Sequence, residues 1–361
     1  MTSDGRVRLA IVGVGKVGRA ALELAATREW LEPVALIVQR PEHDGRPASE
    51  LVAGLPASLR LTTGIEQTLE VTRPEVVIVA TRSALSEVLP VLELAAASGA
   101  RAVLSTSEEL AHVAAGDSED GDRVRALPAA HGVTLVATGV NPGFVLDLWP
   151  IVLSGLAWDV ETLHARRTVD VSVFAPGTRR KLGIGHLPPE FQAGVRDGTI
   201  TGHVGFRESL RRLCSAMGRE PERLVVETTP IVAADRITLA DGVVEPGETA
   251  GATQRAEAWV GGRPWISVEL TLHVRPEAAG LRPTDAAELS GRHHLRVEVD
   301  PGCSPILSTA ALVVNTIPTA MRAAPGLYGP GDLPPAAPWL AATPPPDLPR
   351  VARSTGGAYP R

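Results

Sequence analysis

The sequence contains few of the residues on which several common protein chemistries depend. Its 361 residues include only two cysteines, Cys214 and Cys303, and only two lysines, Lys16 and Lys181. Two cysteines cannot make a disulfide framework or a cysteine-based metal site, and so low a number is typical of a reducing compartment. A lysine-based mechanism would have to use Lys181, which follows two arginines and therefore indicates a basic loop instead.

The sequence also lacks a membrane segment and a basic tract. Residues 310–321 are apolar but include Asn315 and Pro318, and they fall well short of the roughly 20 residues that span a bilayer. Residues 1–15 lack the charged region, the long apolar region and the cleavage site of a signal peptide. The net charge is −6 and no tract rich in lysine and arginine is present. We therefore expect a cytoplasmic protein that binds small molecules and neither nucleic acid nor a membrane.

Motifs of several enzyme classes are absent as well. The chain has no GxSxG elbow, no Walker A signature and no HExxH helix, which argues against the common hydrolases and phosphoryl-transfer enzymes. His293 and His294 are adjacent on a predicted strand, so their side chains point to opposite faces and do not form a metal site together. We expect no bound metal.

The first part of the chain does contain a regular alternation of short β-branched runs and amphipathic runs rich in alanine and leucine. Apolar runs without polar alternation are typical of parallel strands buried on both faces. The pattern predicts an α/β fold with a Rossmann-type doubly wound parallel sheet in an NAD(P)-binding domain at 1–145. Its predicted strands are 7–12, 34–38, 76–80, 102–105 and 134–137, and its predicted helices are 16–26, 84–98 and 122–130.

After Pro150 the strand-like segments become longer and alternate between polar and apolar residues. This texture predicts a second, α+β domain at 146–305, built on a mainly antiparallel sheet with a helix near 206–217. We expect this domain to bind the substrate. Residues 306–335 have a helical pattern and should return to the Rossmann domain, whereas 336–361 are rich in proline and glycine and should form a tail.

A glycine-rich motif joins the first predicted strand to the first predicted helix. Glycines there permit a tight turn, a close approach of the backbone to a pyrophosphate and close packing of helix on strand, while the helix N-terminus offers N–H donors. The motif predicts that the chain binds a dinucleotide. The predicted cofactor contacts are Gly13, Val14, Gly15, Lys16, Val17 and Gly18.

The end of the second predicted strand bears on the choice between the two nicotinamide cofactors. An acidic residue at this position hydrogen-bonds the ribose of NAD, but the strand ends in Gln39 and Arg40. This ending favours NADP(H), with Gln39 and Arg40 as cofactor contacts. Because Glu42 and Asp44 lie close by, NAD(H) remains possible, and Arg40 can alternatively be a solvated loop residue.

Polar residues follow the next two predicted strands of the same sheet edge. Thr81 and Arg82 come after the strand at 76–80, where they can touch the cofactor or cap the following helix. Ser105 and Thr106 leave the strand at 102–105, at the edge where an open α/β sheet binds its ligand. We therefore expect all four residues to contact the cofactor.

Two adjacent carboxylates, Glu108 and Glu109, enter the same region. A glutamate beside an apolar pocket can exchange protons near neutral pH, whereas an exposed one favours a helix N-terminus. The residues alone leave catalysis and capping open for this pair. Their order indicates different roles, with one side chain pointing inward and the other outward.

Residues 138–150 connect the two predicted domains and should line the cleft that we expect between them. Asn141, before Pro142, can orient the nicotinamide amide or a polar group of the substrate, and Phe144 can wall a pocket. The alternative is a turn followed by a core phenylalanine. In the second domain, His203 directly precedes a predicted helix, where it is either a substrate contact or a structural histidine.

Several of these motifs together resemble the dihydrodipicolinate-reductase-like family that includes 2,4-diaminopentanoate dehydrogenases and native amine dehydrogenases. The resemblance runs from about Val7 to about Leu333. It rests on GVGKVG at 13–18, STSEEL at 105–110, ATGVNPGFVLDLWP at 137–150 and GHVGFRES at 202–209, with NTIP and APGLYGPGDLP near the end. The chain lacks the paired-histidine, lysine and DAPSGTA-type signature of true dihydrodipicolinate reductases, which argues against a role in lysine biosynthesis.

The resemblance implies reversible oxidative deamination of an amine, or reductive amination of a ketone or aldehyde with ammonia. Glu108 looks like the family's catalytic glutamate, which takes a proton from ammonium or the substrate amine. Phe144 resembles an aromatic pocket wall that Leu148 extends, and Asn141 and Pro142 lie beside the nicotinamide. The family also implies a homodimer formed through the second domain.

Three alternatives remain open on the sequence. A 2,4-diaminopentanoate dehydrogenase needs a cation for the substrate carboxylate, for which we favour Arg167. The other candidate cations are Arg166, Arg179, Arg180 and Arg207. An imine or enal reductase would not depend on ammonia. A non-catalytic NADP-binding regulatory protein would bind the cofactor without turnover.

Overall fold

The computed structural model describes residues 5–113 and 118–346. By its contacts the chain divides into two compact units. Unit 1 contains Met1–Gly143 and Ser304–Arg361, and unit 2 contains Phe144–Cys303. The predicted tail lies outside the described residues from position 347 onward, and its described part, 336–346, contains no helix or strand.

The helices and strands of the two units are numbered in chain order. The strands are β1 (Val7–Val12), β2 (Leu31–Ile37), β3 (Leu61–Thr62), β4 (Val76–Val79), β5 (Ala102–Ser105), β6 (Thr134–Ala137), β7 (Thr162–Asp170), β8 (Arg223–Val232), β9 (Ile237–Leu239), β10 (Gly242–Val244), β11 (Thr249–Val260), β12 (Arg263–His273), β13 (Thr284–Ser290), β14 (Leu295–Val299) and β15 (Gly326–Tyr328). The helices are α1 (Lys16–Ala26), α2 (Ile65–Thr72), α3 (Leu85–Ala97), α4 (Glu119–His131), α5 (Trp149–Ser154), α6 (Pro176–Lys181), α7 (Pro188–Asp197), α8 (Phe206–Ala216) and α9 (Leu307–Arg322).

The strands of unit 1 form one parallel sheet in the order β15-β6-β5-β4-β1-β2-β3. Its central strands β4 and β5 are buried at every residue because helices cover both faces of the sheet. One face packs on α1 and α9, and the other packs on α3 and α4. The strand order reverses between β1 and β4, which makes this the point where an open α/β sheet binds its ligand.

The predicted doubly wound sheet is confirmed. The bounds of β1, α1, β5 and β6 agree with the prediction, because each combines a uniform apolar pattern with a clear boundary residue. Helix α4 begins three residues earlier than predicted, since Ser118 caps it by accepting a hydrogen bond from the Gly121 N–H at 3.0 Å. The prediction missed β15, which pairs with β6 and forms one edge strand of the sheet.

Unit 2 contains a sheet in the order β14-β13-β7-β12-β11-β8. Every neighbouring pair is antiparallel except β7 and β12, which confirms the mainly antiparallel α+β prediction. Helix α8 packs against β11 and β12, and α7 packs against β8. Among the described residues, no helix is long and apolar enough to cross a membrane.

Candidate active site

The glycine-rich turn after β1 has the geometry that dinucleotide binding requires. A Cβ on Gly13, whose φ is 91°, would lie 2.5 Å from the Ala80 carbonyl oxygen, and one on Gly18 would lie 1.9 Å from the Gly13 oxygen. Both positions therefore need glycine. A Cβ on Gly15 meets no atom within 4 Å, so the N-terminus of α1 has open space in front of it. Backbone N–H groups at such a terminus bind phosphate.

The remaining residues of the turn surround this opening. Lys16 and Gly15 are exposed, and Val14 and Val17 are half-buried. Helix α1 has no side-chain cap and no acidic residue in its first turn. Nothing in the described turn therefore opposes the negative charge of a pyrophosphate.

Two buried polar atoms lie in other loops of the same sheet edge. Thr81 follows β4 and Asn141 follows β6, and neither Thr81 Oγ1 nor Asn141 Oδ1 has a hydrogen-bond partner among the described residues. A buried polar atom without a partner costs about 1–3 kcal/mol, and such atoms in native proteins call for an explanation. An oxygen acceptor in Asn141 fits the amide N–H₂ of a nicotinamide, so the residues present fit this cofactor.

The carboxylates of Glu108 and Glu109 have different partners. Glu109 is exposed, and its Oε2 accepts a hydrogen bond of 2.7 Å from the Leu85 N–H, the first N–H of α3. Glu108 is half-buried, and its Oε1 accepts a hydrogen bond of 3.2 Å from the Ser83 hydroxyl. Glu109 therefore caps a helix, whereas Glu108 lies at the carboxyl edge of β5.

The turn that carries Asn141 is fixed by glycines and by α9. A Cβ on Gly143 would lie 2.2 Å from the Gly139 carbonyl oxygen, so the chain can turn this tightly only with glycine there. The Val140 N–H donates to Thr309 Oγ1 of α9 at 3.3 Å. The Asn141–Pro142 peptide bond is cis, and Pro142 is buried. The C-terminal part of unit 1 thus supports a loop that the predicted cofactor site includes.

The serine and threonine that leave β5 have structural partners. Ser105 is fully buried, and its Oγ accepts a hydrogen bond of 3.2 Å from the Ser107 N–H. The Thr106 N–H donates to the Val79 carbonyl at 3.1 Å, and Arg82 is exposed in the loop after β4. These residues lie at the predicted sheet edge, and their contact with a cofactor stays a prediction.

Gln39 and Arg40 are exposed at the end of β2. The nearby Asp44 carboxylate accepts hydrogen bonds from the Thr63 N–H at 2.8 Å and the Thr63 hydroxyl at 3.2 Å. Asp44 is therefore engaged within the loop. In the part of the chain that the structure describes, Arg40 forms no ion pair with Asp44, Glu42 or any other acid.

In unit 2, Phe144 and Leu148 are the first and last residues of a π-helical turn. Both side chains are half-buried, and helix α8 packs against this turn. Single π-helical turns in proteins occur frequently at functional sites. Because both side chains are apolar and only half-buried, Phe144 and Leu148 can form an apolar surface of the kind that the sequence predicts for the substrate pocket.

His203 and Arg167 are buried among structural partners of unit 2. The His203 N–H donates to Gln254 Oε1 at 2.9 Å, and the imidazole ring lies edge-on to Phe206 with a centroid distance of 4.8 Å. Arg167 is 2% exposed, and its Nη1 donates to both oxygens of Asp285 at 2.9 and 2.8 Å. Burial lowers the pKa of Arg167, although Asp285 opposes this effect. This geometry favours a structural role for Arg167 over the predicted contact with a substrate carboxylate.

The other candidate arginines have partners as well, except one. Arg179 is buried and binds Asp241 and two backbone carbonyls. Arg166 lies 3.9 Å from Glu298, and Arg207 donates to the Leu224 carbonyl at 3.3 Å. Arg180 is exposed, and no partner for it occurs within the described ranges.

Comparisons with known proteins bear directly on these sites. The family model of the 2,4-diaminopentanoate dehydrogenase C-terminal domain matches residues 144–343. This chain belongs to that family. The match confirms the resemblance that the sequence motifs suggest.

Individual relatives agree with the family. A 2,4-diaminopentanoate dehydrogenase of Acetoanaerobium sticklandii is 31% identical over 233 residues, which cover 64% of this chain and 66% of that relative's length. An amine dehydrogenase of Streptomyces virginiae is 26% identical over 348 residues, covering 89% and 94% of the two chains. The solved structure of an amine dehydrogenase from Mycobacterium smegmatis has a TM-score of 0.82 at 21% identity, covering 93% and 98%. That structure shares the fold of this family member.

The sequence did not predict the roles of three residues that shape the site of this family member. Ser83 binds Glu108, Ser107 holds the Ser83 backbone with a 2.7 Å hydrogen bond to its carbonyl, and Thr309 holds the Asn141 turn. Hydroxyl residues within four positions of the ends of the buried strands β4 and β5 were a usable signal for the two serines. Thr309 lies about 170 positions from its partner, and no local pattern announces such a contact.

Proposed function

We propose that this protein is an NAD(P)-dependent amine dehydrogenase, which interconverts an amine with a ketone or aldehyde and ammonia. The observation that carries the proposal is the half-buried Glu108 carboxylate at the carboxyl end of β5, held there by Ser83. This carboxylate lies at the same sheet edge as the glycine turn and as Thr81 Oγ1 and Asn141 Oδ1, the two buried oxygens without a partner among the described residues. The amine and diaminopentanoate dehydrogenases among its relatives support the same reaction class.

Each residue of this edge has a chemical task in the proposed reaction. The N–H groups of Gly15 and its neighbours bind the pyrophosphate, and Asn141 Oδ1 accepts a hydrogen bond that orients the nicotinamide amide. When bound, the nicotinamide supplies or accepts the hydride. Glu108 takes a proton from ammonium, which frees the nitrogen lone pair to attack the carbonyl carbon. In the reverse direction Glu108 takes a proton from the protonated substrate amine, which frees the lone pair to form the C=N bond as the hydride leaves.

Two substrate classes are consistent with the family, and different observations favour them. The family description and the 31% identical relative favour 2,4-diaminopentanoate as substrate. The engagement of Arg167 by Asp285 and of Arg179 by Asp241 favours an amine without a carboxylate, because neither of these two guanidinium groups offers an uncompensated charge. A site for diaminopentanoate would have to use Arg180, the exposed candidate arginine without a partner in the described ranges. Phe144 and Leu148 supply the apolar surface that such an amine needs. We therefore place simple amines first and diaminopentanoate second.

The test measures NADPH and NADH oxidation with a panel of ketones, aldehydes and 2-amino-4-ketopentanoate, each with and without ammonium. We expect turnover that requires ammonium and that falls by about 10²- to 10⁴-fold in Glu108→Gln at an unchanged melting temperature. Turnover indifferent to ammonium would identify an imine or enal reductase. Cofactor binding without any turnover would identify a regulatory protein.

We further propose that the protein prefers NADP(H) over NAD(H). The exposed Arg40 after β2 supports this preference, since a guanidinium at this strand end can bind a 2′-phosphate.

We also propose a cytoplasmic homodimer. The family resemblance supports dimerisation through unit 2, and the free thiols of Cys214 and Cys303 fit a reducing compartment. Light scattering would give twice the chain mass of 37.8 kDa for a dimer, and a value near the single mass would refute it.

A further inference from the structure

The loop after β4 and the loop after β5 are joined at Ser83. The Ser83 carbonyl oxygen accepts hydrogen bonds from the Ser107 hydroxyl at 2.7 Å and from the Glu109 N–H at 3.2 Å. Glu109 adds a second hydrogen bond between these two loops, because its carboxylate accepts from the Leu85 N–H at 2.7 Å. Ser83 is therefore bonded through its backbone to the loop that carries Glu108.

The anchoring of Ser83 rests on buried hydroxyl groups. Ser105 is 0% exposed and Ser107 is 2% exposed, and the Ser107 N–H donates to Ser105 Oγ at 3.2 Å. Displacing the Ser83 carbonyl would leave the buried Ser107 hydroxyl without its acceptor, which is costly. The backbone of Ser83 is thus fixed from the protein interior, although its own side chain is exposed.

The side chain of Ser83 uses this fixed position to contact the Glu108 carboxylate. Its hydroxyl donates to Glu108 Oε1 at 3.2 Å. A hydrogen bond to an ionised acceptor is stronger than one between neutral groups, and it limits rotation of the carboxylate about its last side-chain bond. A proton acceptor works only when its lone pair points at the proton to be taken.

We infer that Ser83 is the positioning residue of the reaction, which aims the Glu108 carboxylate at the substrate nitrogen. This inference rests on the proposed function. It assigns to the β4 loop a task separate from cofactor binding. Loss of the hydroxyl should therefore slow the chemical step and leave the affinity for the cofactor unchanged.

The kinetic test compares Ser83→Ala with Ser83→Thr, which keeps a hydroxyl. The matched control is Ser86→Ala, because Ser86 is also an exposed serine and lies three residues further along. We expect Ser83→Ala to lower kcat by about 10-fold, with KM for NADPH unchanged within about 2-fold. Ser83→Thr should restore most of kcat, and Ser86→Ala should match the wild type. Equal kcat in Ser83→Ala and wild type would overturn the inference, as would a failure of threonine to restore it at an unchanged melting temperature.

A second measurement does not depend on turnover. In protein labelled with ¹³C-glutamate, the Glu108 carboxyl signal is assigned by its loss in Glu108→Gln. We expect this signal to move in Ser83→Ala, to return toward the wild-type position in Ser83→Thr and to stay in place in Ser86→Ala. An unmoved signal in Ser83→Ala would overturn the inference even if the enzyme is active. If the wild type shows no amine turnover, the proposed function fails, and the carboxyl signal alone decides whether Ser83 holds Glu108.

Discussion

Neighbouring residues of the same type do different work at this site. Glu108 and Glu109 are adjacent in sequence, yet one accepts a hydrogen bond from a side chain and the other from the backbone N–H of a helix. The three glycines of the turn also differ from one another. A side chain at Gly15 would meet open space, whereas a side chain at Gly13 or Gly18 would collide with the backbone. The sequence identifies the candidate residues in both groups, and the geometry shows which role each of them has.

Arg40 provides a prediction about a single residue. We expect Arg40→Ala to raise KM for NADPH by about 10- to 100-fold, because a phosphate loses a charge-assisted hydrogen bond, and to change KM for NADH little. Steady-state kinetics with both cofactors measures the effect. Arg125→Ala is the control, since Arg125 is an exposed arginine on α4, away from β2. If both cofactors lose equal affinity in Arg40→Ala, Arg40 does not recognise the 2′-phosphate.

The glycine turn, which is one part of the predicted cofactor site, could be predicted from its individual residues. The glycine turn follows from its own sequence, because the steric demand of a tight turn leaves few alternatives to glycine at Gly13 and Gly18. The environment of Arg167 could not be predicted, since its partner Asp285 is 118 positions away. Periodicity indicates which face of a strand is buried, but it does not indicate which acidic residue lies opposite on the neighbouring strand.

Among the secondary-structure elements, α3 shows how a strand-end loop can stabilise a helix from outside. Its N-cap residue, Ala84, has no side-chain hydrogen bond, and the carboxylate of Glu109 takes that place at Leu85. The acidic charge also lies at the positive end of the helix dipole. The stability of α3 and the conformation of the loop after β5 are therefore coupled.

This coupling separates Glu109 from its neighbour experimentally. Glu109→Ala should destabilise the protein by about 1 kcal/mol, the usual value of a lost N-cap, while activity well below the melting temperature is retained. Calorimetry should then show a melting temperature lower by roughly 2–4 °C. Glu108→Gln should give the opposite pattern of lost activity at unchanged stability. A Glu109→Ala variant that is inactive yet fully stable would reverse the two assignments.

The success of prediction for an element depends on its length and on its burial. Strand β1 and helix α1 have long, uniform patterns that end at glycine or threonine, and their bounds were predicted correctly. Strand β15 has three residues in a stretch rich in proline and glycine, and only its pairing with β6 makes it a strand. Strand β13 contains Thr284-Asp285-Ala286 and has no apolar alternation to announce it.

For the whole molecule, stability should depend on pH through two histidines of unit 2, the buried His273 and the half-buried His164. His273 is 2% exposed, and its Nδ1 accepts a 3.0 Å hydrogen bond from the Arg275 N–H. Burial lowers the pKa of His273, and burial likewise lowers the pKa of His164. In the unfolded chain both histidines titrate near the ordinary value of about 6.5. Below that pH the unfolded state therefore binds more protons, and acid favours unfolding.

We accordingly expect the melting temperature to fall as the pH decreases from about 7 to about 5. In His273→Gln this decrease should be smaller, although the variant should be less stable at neutral pH because a buried contact is lost. Calorimetry at several pH values provides the measurement. His131→Gln, at an exposed position near the end of α4, should keep the wild-type slope. An undiminished slope in His273→Gln would mean that other groups cause the acid sensitivity.

Unit 1 is assembled from both ends of the chain, and this connectivity fixes the order in which it can be completed during synthesis. Residues of α9 pack with those of α1 in one core, and Thr309 holds the turn at Val140. Both α9 and β15 leave the ribosome after all of unit 2. A nascent chain therefore has the glycine turn long before it has the helix that covers α1. The core of unit 1 around α1 can therefore be completed only after α9, which follows all of unit 2 in the chain, has been synthesised.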